Sequence, residues 1–244
     1  HQLRPRRRAT WHTHNKNYNM EFIKKYDNYL SHEHCDYIID LFSKRKDVIH
    51  HGTTAGGLRK ELKESQDINL LMIKDDPHLS NTVIPAMRAG ITKALLLYNR
   101  THSFVPNHDK LTDVDDETLL QVLQYGSVID GDIVLAHQWK EREGFYHWHI
   151  DLGATVKDAA RILVCMYYLN DVEEGGETAF LFQNVESTPT KGSLMIFPAD
   201  WMHLHRGNMP ISNTKYIVNF WLLRRNPLIE KIAKEKNWYN ENNI

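Results

Sequence analysis

Arg161-Ile162-Leu163-Val164-Cys165-Met166-Tyr167-Tyr168-Leu169 carries one charge, at its first position, followed by aliphatic, sulfur-bearing and aromatic residues only. The run stops at Asn170-Asp171, which is short for a helix and right for a buried strand. Similar segments flank it: Ile133–Gln138, Ala179–Gln183, Leu194–Phe197 and Lys215–Leu223 are all short and rich in β-branched and aromatic side chains. Gly175-Gly176, Pro189, Gly192, Pro198 and Gly207 punctuate them. No helical segment alternates with these strands, so a sandwich or barrel fits this half better than a parallel doubly wound sheet.

Upstream the pattern is helical. Ser31 is an N-cap ahead of a run holding Tyr37, Ile38, Ile39, Leu41 and Phe42, which predicts one buried helix face. Ile84, Met87, Ile91, Ala94, Leu95 and Tyr98 recur at helical spacing in Val83–Tyr98. Asp115–Leu123 predicts a third, short helix with an acidic start. Asp113, Asp115, Asp116 and Glu117 read as a solvated helix start rather than a cation site. Gly52–Gly57, followed by Leu58, Arg59 and Lys60, reads as a surface connection or a mobile lid. The organisation expected is a basic tail over residues 1–19 (Arg4, Arg6, Arg7 and Arg8), disordered or non-native, and one domain over 20–244. Within it, 20–130 is mostly helical support, 131–224 the β core, and 225–244 a polar C-terminal helix.

The chain has 244 residues, with 30 Lys and Arg against 31 Asp and Glu, a formal charge of −1. That balance argues against bulk electrostatic binding of nucleic acid. A hydrophobic share of 41% excludes a wholly disordered chain. No apolar run approaches the roughly 20 residues of a membrane span. The basic start lacks the apolar stretch of a secretory signal. The expectation is a soluble, cytoplasmic protein with no membrane partner. Cys35 and Cys165, the only cysteines, supply neither a disulfide framework nor a four-thiolate zinc site.

The 15 histidines matter by position. His147-Trp148-His149-Ile150-Asp151 and His203-Leu204-His205 both lie in the strand-rich half. Alternate side chains of a strand share a face, so His147, His149 and Asp151 would point one way together, as would His203 and His205. Two imidazoles and a carboxylate on one face of an octahedron leave three positions open, the arrangement of non-haem Fe(II) oxygenases. Spacing alone leaves His147 or His149, and His203 or His205, as equal candidates, and zinc would accept them too. In Lys215-Tyr216-Ile217-Val218-Asn219-Phe220-Trp221, alternation puts Lys215, Ile217, Asn219 and Trp221 on one face. If that face points inward, Lys215 wants a carboxylate; the other reading is a lysine solvated at the strand mouth.

From about Ile133 to Arg224 the chain resembles the Fe(II)- and 2-oxoglutarate-dependent dioxygenases, specifically their prolyl 4-hydroxylase branch. His149-Ile150-Asp151 looks like the family's H-x-D. Arg161 to Asn170 looks like its R-x-x-x-C-x-Y-Y-L-N strand, Gly175-Gly176-Glu177-Thr178 like its G-G-E-T turn, and Lys191 to Phe197 like its K-G-x-L-x-x-F strand. His205-Arg206-Gly207 precedes Lys215 at the family's spacing, and Trp221 completes that strand. The resemblance implies an α+β fold with a mainly β core: a double-stranded β-helix (jelly-roll, cupin-like) with N-terminal supporting helices. It implies Fe(II) held by His149, Asp151 and His205, with His147 and His203 outside the ligand set. It implies 2-oxoglutarate with Lys215 on its distal carboxylate, Tyr168 hydrogen-bonded to that same carboxylate, and Tyr146 and Trp221 beside the pocket. It implies O₂ as second cosubstrate, ascorbate as an accessory reductant, and hydroxylation at C4 of a prolyl residue in a peptide or protein, with release of succinate and CO₂. One departure stands out: where many relatives have Tyr ten residues before His149, this chain has Trp139, whose indole N–H can still donate. Alternatives are the same chemistry on a free amino acid, another side chain or a nucleic acid; a non-catalytic metal-binding jelly roll; and a zinc hydrolase, for which no general base is evident.

Overall fold

The apolar runs are strands buried on both faces. In the computed structural model, which describes residues 22–54, 56–102, 114–153, 155, 157–225, 231 and 235, thirteen strands form two antiparallel sheets. In chain order the elements are β1 (Lys24–Tyr26), α1 (His32–Lys44), β2 (His50–His51), β3 (Lys63–Glu64), β4 (Gln66–Asn69), α2 (Ile84–His102), α3 (Asp116–Gly126), β5 (Ser127–Ile129), β6 (Leu135–Trp139), β7 (Phe145–His149), β8 (Arg161–Tyr168), β9 (Thr178–Phe180), β10 (Val185–Ser187), β11 (Leu194–Pro198), β12 (His205–Gly207) and β13 (Lys215–Arg224). The larger sheet runs β1-β11-β8-β13-β6-β4-β2, with β5 also on β13; the smaller runs β10-β9-β12-β7-β3.

The larger sheet is the shared wall of two cores. Leu163, Cys165 and Tyr167 of β8, Leu194 and Ile196 of β11, and Val218, Phe220 and Leu222 of β13 face the helices. Val164, Met166, Tyr168, Met195, Phe197, Ile217 and Trp221 face the smaller sheet. Burial on both faces removes the polar alternation that a half-solvated strand would show, which is why these segments read as unbroken apolar runs. The two facing sheets make the jelly roll that the resemblance implied, with β13 between β8 and β6 at its centre.

The helices follow their sequence signals. Ser31 caps α1, its Oγ accepting from the His34 amide. Cys35, Ile38, Leu41 and Phe42 form the buried face of α1, with Tyr37 and Ile39 only flanking it. Asp115 caps α3 by accepting from the Thr118 amide, and Asp116 pairs with Arg100; these acidic residues serve a helix start. Asp113 lies outside the described residues, as do the tail over 1–19 and nearly all of 225–244. Residues 20–130 are less helical than expected, because β1 to β5 are threaded through them. These strands are two to four residues long and mostly polar, as in Lys63–Glu64 and Gln66–Asn69, so they offered no apolar pattern. The Ala179–Gln183 strand ends early, at Phe180. Both cysteines are free and buried. Among the described residues, no helix is long and apolar enough to cross a membrane.

Gly90 lets α2 lie against the sheet. A Cβ there would come within 2.5 Å of the Tyr167 hydroxyl and 2.8 Å of the Tyr29 carbonyl oxygen. That hydroxyl donates to the Met87 carbonyl of the same helix at 2.7 Å. In an open helix Gly→Ala stabilises by about 1 kcal/mol; here overpacking reverses the sign. Gly90→Ala is expected to destabilise by about 1–3 kcal/mol in a urea melt, and Tyr167→Phe in the same chain to recover part of that loss.

Candidate metal centre and its cavity

The strand pair β7 and β12 sets His149 directly opposite His205. Two positions along, Gly207 pairs with Tyr146 rather than with His147, so β7 carries one extra residue: a β-bulge. The bulge overturns the simple alternation expected for His147 and His149. Tyr146, three residues before His149, is swung onto its face and stacks on its ring at 3.5 Å and 15°. His147 is exposed, its ring against Phe145. Asp151 lies just past the end of β7, in the turn that follows. His203 also leaves its expected place. It sits in a single tight turn, Trp201–His203, before β12, with its Nδ1 on the Asp200 carboxylate at 2.8 Å.

One ligand atom each from His149, Asp151 and His205 can be chosen so that all lie within 4.8 Å of one another. His205 Nε2 is 3.2 Å from Asp151 Oδ2, and the two imidazole centroids are 4.2 Å apart. The tautomers are fixed by the main chain. His149 Nδ1 meets the His147 carbonyl at 2.8 Å, and His205 Nδ1 meets the His203 carbonyl at 2.9 Å. A carbonyl only accepts, so each Nδ1 carries a proton and Nε2 is the ring atom left to face a metal, which at His205 would displace the proton shared with Asp151 Oδ2. Asp151 is divided likewise: Trp221 Nε1–H donates to Oδ1 at 3.1 Å, leaving Oδ2 facing the histidines. Arg161 lies over the Trp221 ring at 4.2 Å, donates to the Asp151 carbonyl at 3.1 Å, and is held by Asp158 at 2.8 Å.

Burial strips water from this trio. It pulls the His149 pKa down to about 3, with the neighbouring His205 adding to the drop. Burial alone would push the Asp151 carboxyl up, but the hydrogen bond from His205 and the nearby positive groups outweigh it and hold the carboxyl well below its usual range. A neutral imidazole beside an ionised carboxylate is the state in which both ligate a cation. Two nitrogens and one oxygen suit a first-row divalent metal with open positions.

The trio lines a cavity of about 340 Å³ between the two sheets. From β6 it receives Leu135, His137 and Trp139, and from β13 Ile217, Asn219 and Trp221, which alternation had placed on one face. Lys215 belongs to the same face, is 0% exposed, and pairs in register with Trp139. Its Nζ has no hydrogen-bond partner among the described residues. It lies 4.1 Å from the centroid of the Trp139 ring and 5.5 Å from that of Tyr168. Burial lowers the Lys215 pKa to about 7, against a partly compensating attraction to Glu177. The ammonium is therefore inside, as one reading required, but the indole of Trp139 lies between it and the cavity. Gly207 makes room for that indole, since any Cβ there would strike the six-membered ring. Tyr168 is fully buried, with its pKa pushed up to about 12 by burial; its hydroxyl donates to Thr178 Oγ1 at 2.8 Å and not into the cavity.

The sequence reading missed a second polar cluster in the same wall. Asp67 accepts from Lys63 Nζ at 2.8 Å, from Ser65 Oγ at 2.8 Å and from His137 Nδ1 at 2.7 Å, all buried. Lys63 and His137 line the cavity, and Lys63 Nζ lies 5.2 Å over the Tyr146 ring that stacks on His149. Its members are spread from residue 63 to residue 137, so no local spacing marked them. Thr53 and Thr54, from the connection read as a possible lid, also border the cavity.

Comparison with known proteins agrees with this architecture. Residues 134–223 match the family model described as the 2OG-Fe(II) oxygenase superfamily. The chain is similar to a probable prolyl 4-hydroxylase 3 of Arabidopsis thaliana, 27% identical over 160 residues, covering 66% of this chain and 45% of the relative. It thus spans a little under half the length of the curated relative it matches. Among solved structures, it is similar to a viral collagen prolyl hydroxylase from Paramecium Bursaria Chlorella virus-1, with TM-score 0.55 and 22% identity over 84% of this chain and 97% of that one. It is also similar to a prolyl hydroxylase from Trichoplax adhaerens, solved with a hypoxia inducible factor peptide fragment, with TM-score 0.60 and 16% identity over 84% of each chain. Over residues 134–223 the chain is thus similar to the 2OG-Fe(II) oxygenase superfamily.

Trp221→Phe removes the N–H that orients Asp151, and is expected to weaken Fe(II) binding about 10- to 100-fold in a chelator competition. His149→Ala should abolish that binding. His147→Ala, whose main-chain carbonyl survives, should leave it nearly unchanged.

Proposed function

We propose that this chain is an Fe(II)- and 2-oxoglutarate-dependent dioxygenase that hydroxylates C4 of a prolyl residue in a peptide or protein, releasing succinate and CO₂. The observation that carries the reading is the pairing of a His149/Asp151/His205 donor set with a buried, unpartnered Lys215 cation in one inter-sheet core. The donor set fits ferrous iron, and the orphaned ammonium fits a carboxylate. A structural metal would need closed coordination and no such cation. The prolyl hydroxylase relatives support the peptide substrate.

Bound iron and 2-oxoglutarate would supply the oxidising chemistry, with O₂ as the oxidant; the protein supplies position and dielectric. His149, Asp151 and His205 would take one face of the metal and leave the other for cosubstrates. Trp221 and the two carbonyl tethers hold those three side chains in their ligating orientation before anything binds. Lys215 would fix the far carboxylate in a dry pocket, where a charge-assisted contact is strong. The apolar walls from Leu135 and Ile217 limit water at the reacting centre.

Incubation with Fe(II), 2-oxoglutarate, O₂ and a proline-rich peptide library, read by mass spectrometry, should give one added oxygen on proline together with succinate. Succinate with the oxygen on another residue would overturn the prolyl assignment alone. Lys215→Ala should raise the KM for 2-oxoglutarate at least about 10-fold, as one lost charge-assisted bond of about 1.5–3 kcal/mol requires, with the Fe(II) requirement little changed. Binding of a dicarboxylate raises the Lys215 pKa from its low free value, so affinity is full below about pH 7 and falls as pH rises through it. Calorimetric titration with 2-oxoglutarate between pH 6 and pH 9 tests this, and a flat profile would place the ammonium out of contact.

A further inference from the structure

Lys215 Nζ is shut off from solvent and from the cavity, although the proposed function needs a ligand carboxylate to touch it. Two aromatic rings flank it, and of these only Trp139 also lines the cavity. The Trp139 ring face lies over the ammonium, in the close approach that Gly207 permits. Tyr168, its ring centroid 5.5 Å from the Nζ, is anchored through Thr178, so it has little freedom to withdraw. Trp139 is not anchored in this way. Its Nε1 is buried with no hydrogen-bond partner among the described residues, so moving the indole breaks no hydrogen bond. On its other side it borders the cavity, which offers space to turn into.

Resting on the oxygenase reading, we propose that Trp139 is the gate of the dicarboxylate seat. The indole occupies the approach to Lys215 in the resting protein and must swing aside before the far carboxylate of a small 2-oxo dicarboxylate can pair with the ammonium. The resting contact is a cation–π pair in a desolvated site, and the ligand replaces it with a charge-assisted hydrogen bond. Binding is therefore a two-step event. The apparent affinity is reduced by the fraction of molecules whose gate stands open. Trp139 acts here as a positioning residue, distinct from Lys215, which makes the contact.

The test is anaerobic stopped-flow mixing of the Fe(II)-loaded protein with 2-oxoglutarate, followed by the metal charge-transfer band. For the wild type the observed rate should level off as 2-oxoglutarate is raised, reporting the indole movement. In Trp139→Leu, which has no ring face to lie on the ammonium, the rate should rise in proportion to concentration, and affinity should tighten about 3- to 30-fold, the range of a desolvated cation–π contact. Gly207→Ala, which pushes the indole off its seat, should shift the wild-type kinetics the same way and keeps the test open if the Trp139→Leu variant fails to fold. A wild-type rate strictly proportional to concentration would overturn the gate even with no variant measured, as would equal affinity in Trp139→Leu. Absence of 2-oxoglutarate binding in the wild type and in both variants would instead sink the oxygenase reading itself.

Discussion

The antiparallel pairing of β7 with β12 is the constraint on which the rest depends. It places His149 across from His205 in a single register, and the bulge in β7 decides which of its neighbours share that face. A register slip of one residue in either strand would turn that strand's imidazole to the outside of the jelly roll. Phe180 and Phe197 pack against the His205 ring on the core side, so apolar packing and strand pairing enforce the same arrangement. The candidate metal site is in this sense a product of sheet geometry, with only Asp151 delivered by a turn.

Lys215 shows the opposite balance. Nothing in sheet pairing favours an amine at a fully buried position, and desolvation there is costly unless the charge is met or given up. Two aromatic faces and the distant Glu177 go only part of the way. The residue is tolerated because β13 is the most heavily supported strand, paired on both sides by β6 and β8. Stability gathered along the shared wall is what permits an unsatisfied cation at its end, in keeping with strain concentrating at working sites.

Much of this was legible in advance, and the rest was hidden for physical reasons. The strands β6, β8, β11 and β13 announced themselves because burial on both faces makes their runs largely apolar. That Lys215, Ile217, Asn219 and Trp221 share one face of β13 followed from alternation; that this face points inward did not. Alternation failed at His147 and at His203, where a bulge and a tight turn replace a regular strand; neither leaves a mark in residue type. Choosing His149 over His147 therefore needed family resemblance, while the cluster of Lys63, Asp67 and His137 carried no local signal at all. Trp139 was noticed as an unusual residue, but its place over Lys215 is a matter of tertiary contact.

The two carbonyl tethers have a consequence for how the site tolerates change. Each imidazole of the candidate site is steered by the peptide group two positions upstream, at 147 and at 203, and not by a side chain. Drift in amino-acid identity at those two positions can leave ligand geometry untouched, whereas an insertion, a deletion or a local twist of the chain there would misdirect it. An inventory of substitutions would mark both positions as dispensable, and the chain's path through them would still be among the most constrained features of the molecule.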